Sequence, residues 1–100
     1  MIRNISHLLR GGRMFLIMVY DVEEKRVNKV LKVARKYLTW VQNSVLEGEI
    51  RRSSFERLKW EVKKIIEEEK DSIIFYKFRT KVYTERETMG IKKGGEEVIF

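Results

Sequence analysis

The sequence predicts an α+β fold in which two helices cover one face of an antiparallel sheet. The run Met14–Tyr20 is apolar at every position, as expected of a strand that is covered on both faces. Two later stretches carry apolar residues at helical spacing. The resulting order, strand, helix, strand region, helix and strand, is that of a ferredoxin-like βαββαβ domain. We expect residues 1–13 to be an N-terminal extension, disordered or due to a misassigned start, and residues 14–100 to form a single domain.

The first strand ends on a carboxylate, Asp21, and a helix follows it directly. An acidic residue in this position caps the helix, with Glu23 and Glu24 in the favourable first turn, or is simply solvated, or is used chemically. The helix itself is predicted from a single apolar stripe, whose members are Val27, Val30, Leu31, Ala34 and Leu38.

The middle of the chain, Leu38–Glu47, is rich in β-branched and aromatic residues and predicts strand structure. The polar trio at 42–44 indicates a bulge or a tight corner between two short strands. We expect a loop over 48–52, and a second helix that begins with a capping box formed by Ser53 and Glu56. The last long strand is predicted over Ile73–Tyr83.

Two apolar features predict a homodimer. Helices cover only one face of such a sheet, whereas the first strand is apolar on both, so packing of sheet against sheet would cover the second face. The chain also ends on Val98, Ile99 and Phe100, and a free apolar tail is disfavoured in water. We expect this tail to dock, for instance as an edge strand on a second subunit.

Charge favours nucleic acid as a partner. The net charge is +7 and the pI is about 9.8, so a polyanion suits the chain better than an acidic small molecule, although a basic solvated surface is the simpler alternative. The preferred phosphate contacts are Arg26, Arg51 and Arg52. No apolar run is long enough to span a bilayer, which predicts a cytoplasmic protein without a membrane partner.

Asp21 is the one acidic residue placed where metal-assisted chemistry is expected. The chain has no cysteine and a single histidine, so a thiolate site or a histidine pair is excluded. Mg²⁺, or Mn²⁺ in its place, takes oxygen ligands, usually one or two carboxylates together with water and phosphate. One chain offers only Asp21, whereas two chains related by a two-fold axis would offer two carboxylates.

At this point the residues carry a resemblance to a known family. The chain resembles CRISPR-associated protein two from Met14 to about Tyr83, and the C-terminal tail agrees with the final strand of that family. Leu46 stands where many members have Phe, and residues 1–13 have no counterpart. The segments that carry the resemblance are Val19-Tyr20-Asp21-Val22, Arg26-x-x-Lys29-Val30, Tyr37-Leu38 and Val41-Gln42-x-Ser44-Val45-x-Glu47-Gly48.

The resemblance implies a ferredoxin-like homodimer with the pair of Asp21 residues near its axis, Tyr20 beside them, and the tail at the subunit boundary. Members of the family are described as metal-dependent endonucleases on RNA or duplex DNA, with Asp21 in the catalytic and metal-binding position. They are also described as scaffolds that bridge dimers of CRISPR-associated protein one, the integrase of spacer acquisition. Two alternatives stay open: a toxin-type ribonuclease of similar fold, and a non-catalytic nucleic-acid-binding module.

Overall fold

A computed structural model describes residues 13–79 and Met89 of the chain. The elements follow in the order β1 (Arg13–Asp21), α1 (Glu24–Ala34), β2 (Thr39–Gln42), β3 (Val45–Arg51), α2 (Arg52–Lys63) and β4 (Ser72–Phe78). The predicted βαββαβ order is therefore confirmed. Arg13, predicted as part of the N-terminal extension, is the first residue of β1, and β4 spans Ser72–Phe78 where the prediction was 73–83. The rest of the predicted extension, residues 80–83 and the tail Val98–Phe100 lie outside the described residues.

The four strands form one sheet with the order β2-β3-β1-β4, and every neighbouring pair is antiparallel. This is the ferredoxin-like arrangement that the sequence predicts. β1 lies in the interior of the sheet, with β3 on one side and β4 on the other, which explains its uninterrupted apolar run. Asp21 pairs with Ser72 at one end of β1, and Arg13 pairs with Arg51 at the other end.

The two faces of β1 have different surroundings. Alternate residues Met14, Leu16, Met18 and Tyr20 belong to the core cluster that the buried side chains of both helices complete. The intervening residues project from the opposite face, together with every second residue of β4. We call this second side the open face and define it by Phe15, Ile17, Val19, Ile74 and Tyr76.

Near the second helix the predictions are only partly right. The corner is confirmed, because β2 ends at Gln42 and a turn with Asn43 at φ 38° leads into β3. The loop over 48–52 is wrong: β3 continues to Arg51, since backbone pairing with β1 outweighs the weak strand preference of Gly48. The capping box is also wrong, because α2 begins at Arg52 and its N-cap residue, Arg51, makes no side-chain capping bond.

Neither described helix is long and apolar enough to cross a membrane.

Candidate active site

Asp21 is the last residue of β1, and its side chain is exposed. Because side chains alternate along a strand, Asp21 projects from the same side as Val19, on the open face. Across the sheet it pairs with Ser72, the first residue of β4, which is also exposed. In the part of the chain that the structure describes, the Asp21 carboxylate has neither a hydrogen bond nor an ion pair.

The structure argues against the capping role that the sequence offered for Asp21 and leaves its carboxylate solvated and free. Helix α1 begins at Glu24, and the N-cap position falls on Glu23, two residues after Asp21. The backbone N–H of Glu23 donates a hydrogen bond to Oδ1 of Asp71, at 3.0 Å. A carboxylate from a distant part of the chain therefore holds the backbone of the N-cap residue, and the helix start has no side-chain capping bond. The capping alternative for Asp21 is wrong.

Asp71 is the buried acidic residue that supports this end of the sheet. Its carboxylate accepts two bonds from Arg26, from Nε at 2.6 Å and from Nη2 at 2.9 Å. It also accepts the backbone N–H groups of Glu23 at 3.0 Å and of Glu67 at 2.9 Å. These bonds, above all those from the guanidinium, hold the pKa of Asp71 well below its usual range. The network joins the start of α1, the segment that follows α2, and the start of β4.

Arg26 takes part in this network rather than in a free basic surface. Its side chain is 10% exposed, and besides Asp71 it approaches Glu23 at 3.0 Å and Glu67 at 3.4 Å. The bonds to Asp71 raise the pKa of Arg26 still further above its usual range. A guanidinium surrounded by carboxylates is poorly placed to bind phosphate, so this environment does not favour the predicted contact with nucleic acid.

Sequence reasoning missed the Arg26–Asp71 pair, although one signal was available. The buried residues of α1 are Arg26, Val30 and Ala34, at steps of four. A positive charge on the buried stripe of a helix requires a buried acid, because an unpaired charge is costly to bury. The position of that acid in the chain, 45 residues away, depends on the sheet topology and cannot be read from local spacing.

The backbone on the other side of Asp21 is held by Tyr20. The Tyr20 hydroxyl donates a 2.8 Å bond to the carbonyl of Asn43, and its backbone N–H donates to the carbonyl of Ser44 at 3.0 Å. Burial raises the pKa of this phenol. Since the Tyr20 ring lies in the core shared with the helices, the structure gives it a role within one chain and not on the open face. Its predicted place at a dimer boundary stays a prediction.

Arg51 and Arg52 lie far from Asp21. Arg51 pairs with Arg13 at the start of β1, eight residue steps from Asp21, which at the usual rise corresponds to about 26 Å. Arg79 follows directly after Phe78, whose partner in β1 is Phe15, and is exposed at the same end. We call this group the arginine end of the sheet; its members are Arg13, Arg51, Arg52 and Arg79.

The donor set around Asp21 fits part of a site for a hard cation. An exposed carboxylate without a partner is an oxygen donor of the kind that Mg²⁺ and Mn²⁺ prefer. Within residues 13–79 and at Met89, no group of three or more His, Cys, Asp or Glu residues is arranged to hold a metal. One chain therefore supplies one carboxylate, and a second would have to come from another copy.

Comparisons with known proteins bear on the same residues. The family described as CRISPR associated protein Cas2 matches residues 14–86. The chain belongs to the Cas2 family. "CRISPR-associated endoribonuclease Cas2" of Dictyoglomus turgidum is 59% identical over 87 residues, which are 87% of this chain and all of that protein. The protein of the same description from Thermotoga maritima is 54% identical over the same shares of both chains.

A solved structure supports the Cas2 assignment. A crystal structure described as Cas2 superposes with a TM-score of 0.76 at 39% identity, covering 82% of this chain and 92% of the other. The resemblance found in the sequence is thereby confirmed, as is the ferredoxin-like Cas2 fold. The shared Cas2 fold places Asp21 at the end of an interior strand, in the geometry described above.

Proposed function

We propose that this Cas2-family protein is a metal-dependent endonuclease that acts on RNA or DNA as a homodimer, with Asp21 as the catalytic and metal-binding residue. The relatives described above carry the name endoribonuclease, which supports phosphodiester hydrolysis as the reaction. The observation that carries the proposal is the Asp21 carboxylate. It is exposed at the end of a rigid strand, and it does not cap α1, whose N-cap residue is Glu23.

The open face supports the homodimer. Ile74 is 45% exposed and Tyr76 is 51% exposed, and they lie beside Ile17 and Val19 of β1. Contiguous apolar side chains on one face favour association with a matching surface. A second copy of the chain offers such a surface by symmetry. Because Asp21 projects from the same face, this packing would bring two carboxylates towards one axis.

Each element of the proposed site has a distinct role. The paired Asp21 carboxylates would hold Mg²⁺ or Mn²⁺, which supplies charge neutralisation at the phosphate and an acidified water. Tyr20 and Glu23 anchor the backbone on either side of Asp21, so the carboxylate stays in place without using its own oxygens. Pre-positioned ligands of this kind lower the cost of ordering the reacting groups.

Phosphate binding is assigned to the arginine end, with Arg51 and Arg52 as its main members. Both side chains are exposed at the junction of β3 and α2, and within the described residues neither forms an ion pair. Arg26 is left out because carboxylates already surround it. Unneutralised arginines bind phosphate with a strong dependence on salt, since binding releases counterions.

Membership of the Cas2 family supports a role in CRISPR adaptation, and we propose that the homodimer also serves as a scaffold for spacer integration with CRISPR-associated protein one. The scaffold needs the dimer and the basic surface, whereas cleavage needs Asp21 and a metal. The two activities can therefore be separated by one substitution.

The test compares wild type with Asp21→Asn and with Glu24→Gln, a matched loss of an exposed carboxylate three residues away. Labelled single-stranded RNA and duplex DNA are incubated with Mg²⁺, Mn²⁺ or EDTA. We expect wild type and Glu24→Gln to cleave only when metal is present. The cleavage rate of Asp21→Asn should fall by two orders of magnitude or more, because a bound metal stabilises the transition state by several kcal/mol.

Three outcomes would redirect the proposal. Full cleavage by Asp21→Asn would show that the activity lies elsewhere or in a contaminant. Wild type that never cleaves, but binds nucleic acid and assembles with the integrase, would leave a non-catalytic scaffold. A protein that cleaves RNA and never associates with the integrase would favour a toxin-type ribonuclease.

A further inference from the structure

Ser72 is the residue that the sheet register places directly beside Asp21. The two residues are Cα partners across the β1–β4 ladder, and both side chains are exposed. Residues opposite each other in an antiparallel pair project from the same face, with Cβ atoms about 4.5–5.5 Å apart. Neither side chain makes a hydrogen bond or ion pair within the described residues. The Ser72 hydroxyl therefore faces the same space as the free carboxylate.

We propose that Ser72 is a second metal ligand from the same chain, in addition to Asp21. This inference rests on the proposed metal site at Asp21 and extends it. Adjacent oxygen ligands of Mg²⁺ at about 2.1 Å from the ion lie about 3 Å from each other, a separation that two neighbouring side chains at this Cβ spacing reach. A serine or threonine hydroxyl serves as an Mg²⁺ ligand in phosphate-binding loops, so the donor chemistry is established.

The position of Ser72 is fixed by its neighbour in the chain. Asp71 directly precedes Ser72, and its carboxylate accepts four hydrogen bonds at 2.6–3.0 Å. The Asp71 side chain has no exposed surface. The same carboxylate holds Glu23, two residues after Asp21. One buried group thus orders the backbone next to both exposed oxygen donors, and such pre-ordering lowers the entropic cost of binding an ion.

With Ser72 included, each chain supplies two ligand oxygens instead of one. Two copies related by a two-fold axis would present two carboxylates and two hydroxyls. An octahedral Mg²⁺ ion would then keep two positions for water or for a phosphate oxygen. With Asp21 alone, a dimer would supply only two protein oxygens, and the remaining four positions would have to be filled from solvent and substrate.

The test is a direct titration with Mn²⁺, followed by calorimetry or by water proton relaxation, so that no catalytic readout is needed. We compare wild type with Ser72→Ala, Ser72→Thr and Asp21→Asn, with thermal unfolding as the check on folding. Ser72→Ala should weaken Mn²⁺ binding about tenfold, the lower end of the effect of losing a supporting group. Ser72→Thr keeps the hydroxyl and suits a strand, so its affinity should stay within a few-fold of wild type.

The outcomes separate this inference from the proposed function. Weakened binding in Asp21→Asn with unchanged binding in Ser72→Ala would refute the role of Ser72 and leave the Asp21 site standing. Unchanged binding in Asp21→Asn would overturn the metal site itself. Equal weakening in Ser72→Ala and Ser72→Thr, without loss of thermal stability, would also refute the role, because the hydroxyl would then not be what matters.

Discussion

Replacing Asp21 and Asp71, the two aspartates of the chain, with asparagine should lower stability to very different extents. Asp21 makes no hydrogen bond or ion pair within the described residues. Its replacement should change the free energy of unfolding by no more than about 0.5 kcal/mol, as is usual for a surface position. For a chain of this size that corresponds to about 2–4 °C in Tm. The substitution should nevertheless abolish the proposed metal-dependent cleavage.

Asp71→Asn should lower Tm by more than the roughly 2–4 °C expected at most for Asp21→Asn. Each carboxylate oxygen of Asp71 now accepts two of the four hydrogen bonds. In asparagine one of these oxygens becomes an NH₂ group, which is itself a donor and cannot accept its two bonds. Arg26 would also lose its closest ion pair while it stays largely buried, and removing one member of a buried pair is strongly destabilising. The loss of Tm should therefore exceed that of Asp21→Asn several-fold.

Thermal unfolding followed by circular dichroism at neutral pH and constant protein concentration measures both variants. Glu24→Gln serves as a control for the loss of one exposed negative charge near the same turn. An Asp21→Asn variant that melts as early as Asp71→Asn would refute the reasoning, because it would mean that Asp21 is part of the supporting network. An Asp71→Asn variant as stable as wild type would show that the network contributes nothing measurable.

Three further predictions concern other parts of the molecule. Arg51→Glu combined with Arg52→Glu should weaken binding to duplex DNA and reduce the slope of affinity against salt concentration, both measured by fluorescence anisotropy. An unchanged slope would exclude the arginine end as the phosphate-binding surface. Tyr76→Glu should convert a dimer of about twice the 12.1 kDa chain mass into a monomer by light scattering, whereas an unchanged mass would exclude the open face. The free energy of unfolding should fall as the pH drops below about 4, the ordinary pKa of aspartate. Hydrogen bonds in the folded protein lower the pKa of Asp71. The stability that Asp71 contributes is therefore complete above its pKa in the unfolded chain and is lost as the pH falls towards its pKa in the folded protein. In urea melts from pH 6 to pH 2, Asp71→Asn should show the weaker pH dependence, and parallel curves would refute this.

Periodicity in the sequence was sufficient to predict the architecture. The continuous apolar run of β1 predicted an interior strand, and β1 does lie between β3 and β4. The stripe that begins at Val27 predicted α1, and the corner at 42–44 is where β2 gives way to β3. These features are local, and the spacing of apolar side chains reflects which face is buried.

Predictions failed where long-range pairing decides the outcome. Gly48 was predicted to lie in a loop, yet its backbone pairs with that of Leu16, and this pairing keeps Gly48 in β3. Asp21 reads as a helix cap, yet the N–H of Glu23 is bound by Asp71 from 48 residues away. The distance between Asp21 and the predicted phosphate contacts Arg51 and Arg52 likewise depends on the register of the sheet, and no local pattern contains that information.

The separation between the arginine end and Asp21 sets a minimum size for a ligand that contacts both within one chain. A distance of about 26 Å corresponds to about eight base pairs of duplex at 3.4 Å each. If the proposed sites bind nucleic acid, a shorter oligonucleotide would contact either the arginines or the Asp21 carboxylate of one chain, but not both. Affinity and cleavage should therefore depend on length in different ways. Binding at the arginine end would already be present with short duplexes, whereas any gain in cleavage from that binding would require a duplex beyond this length.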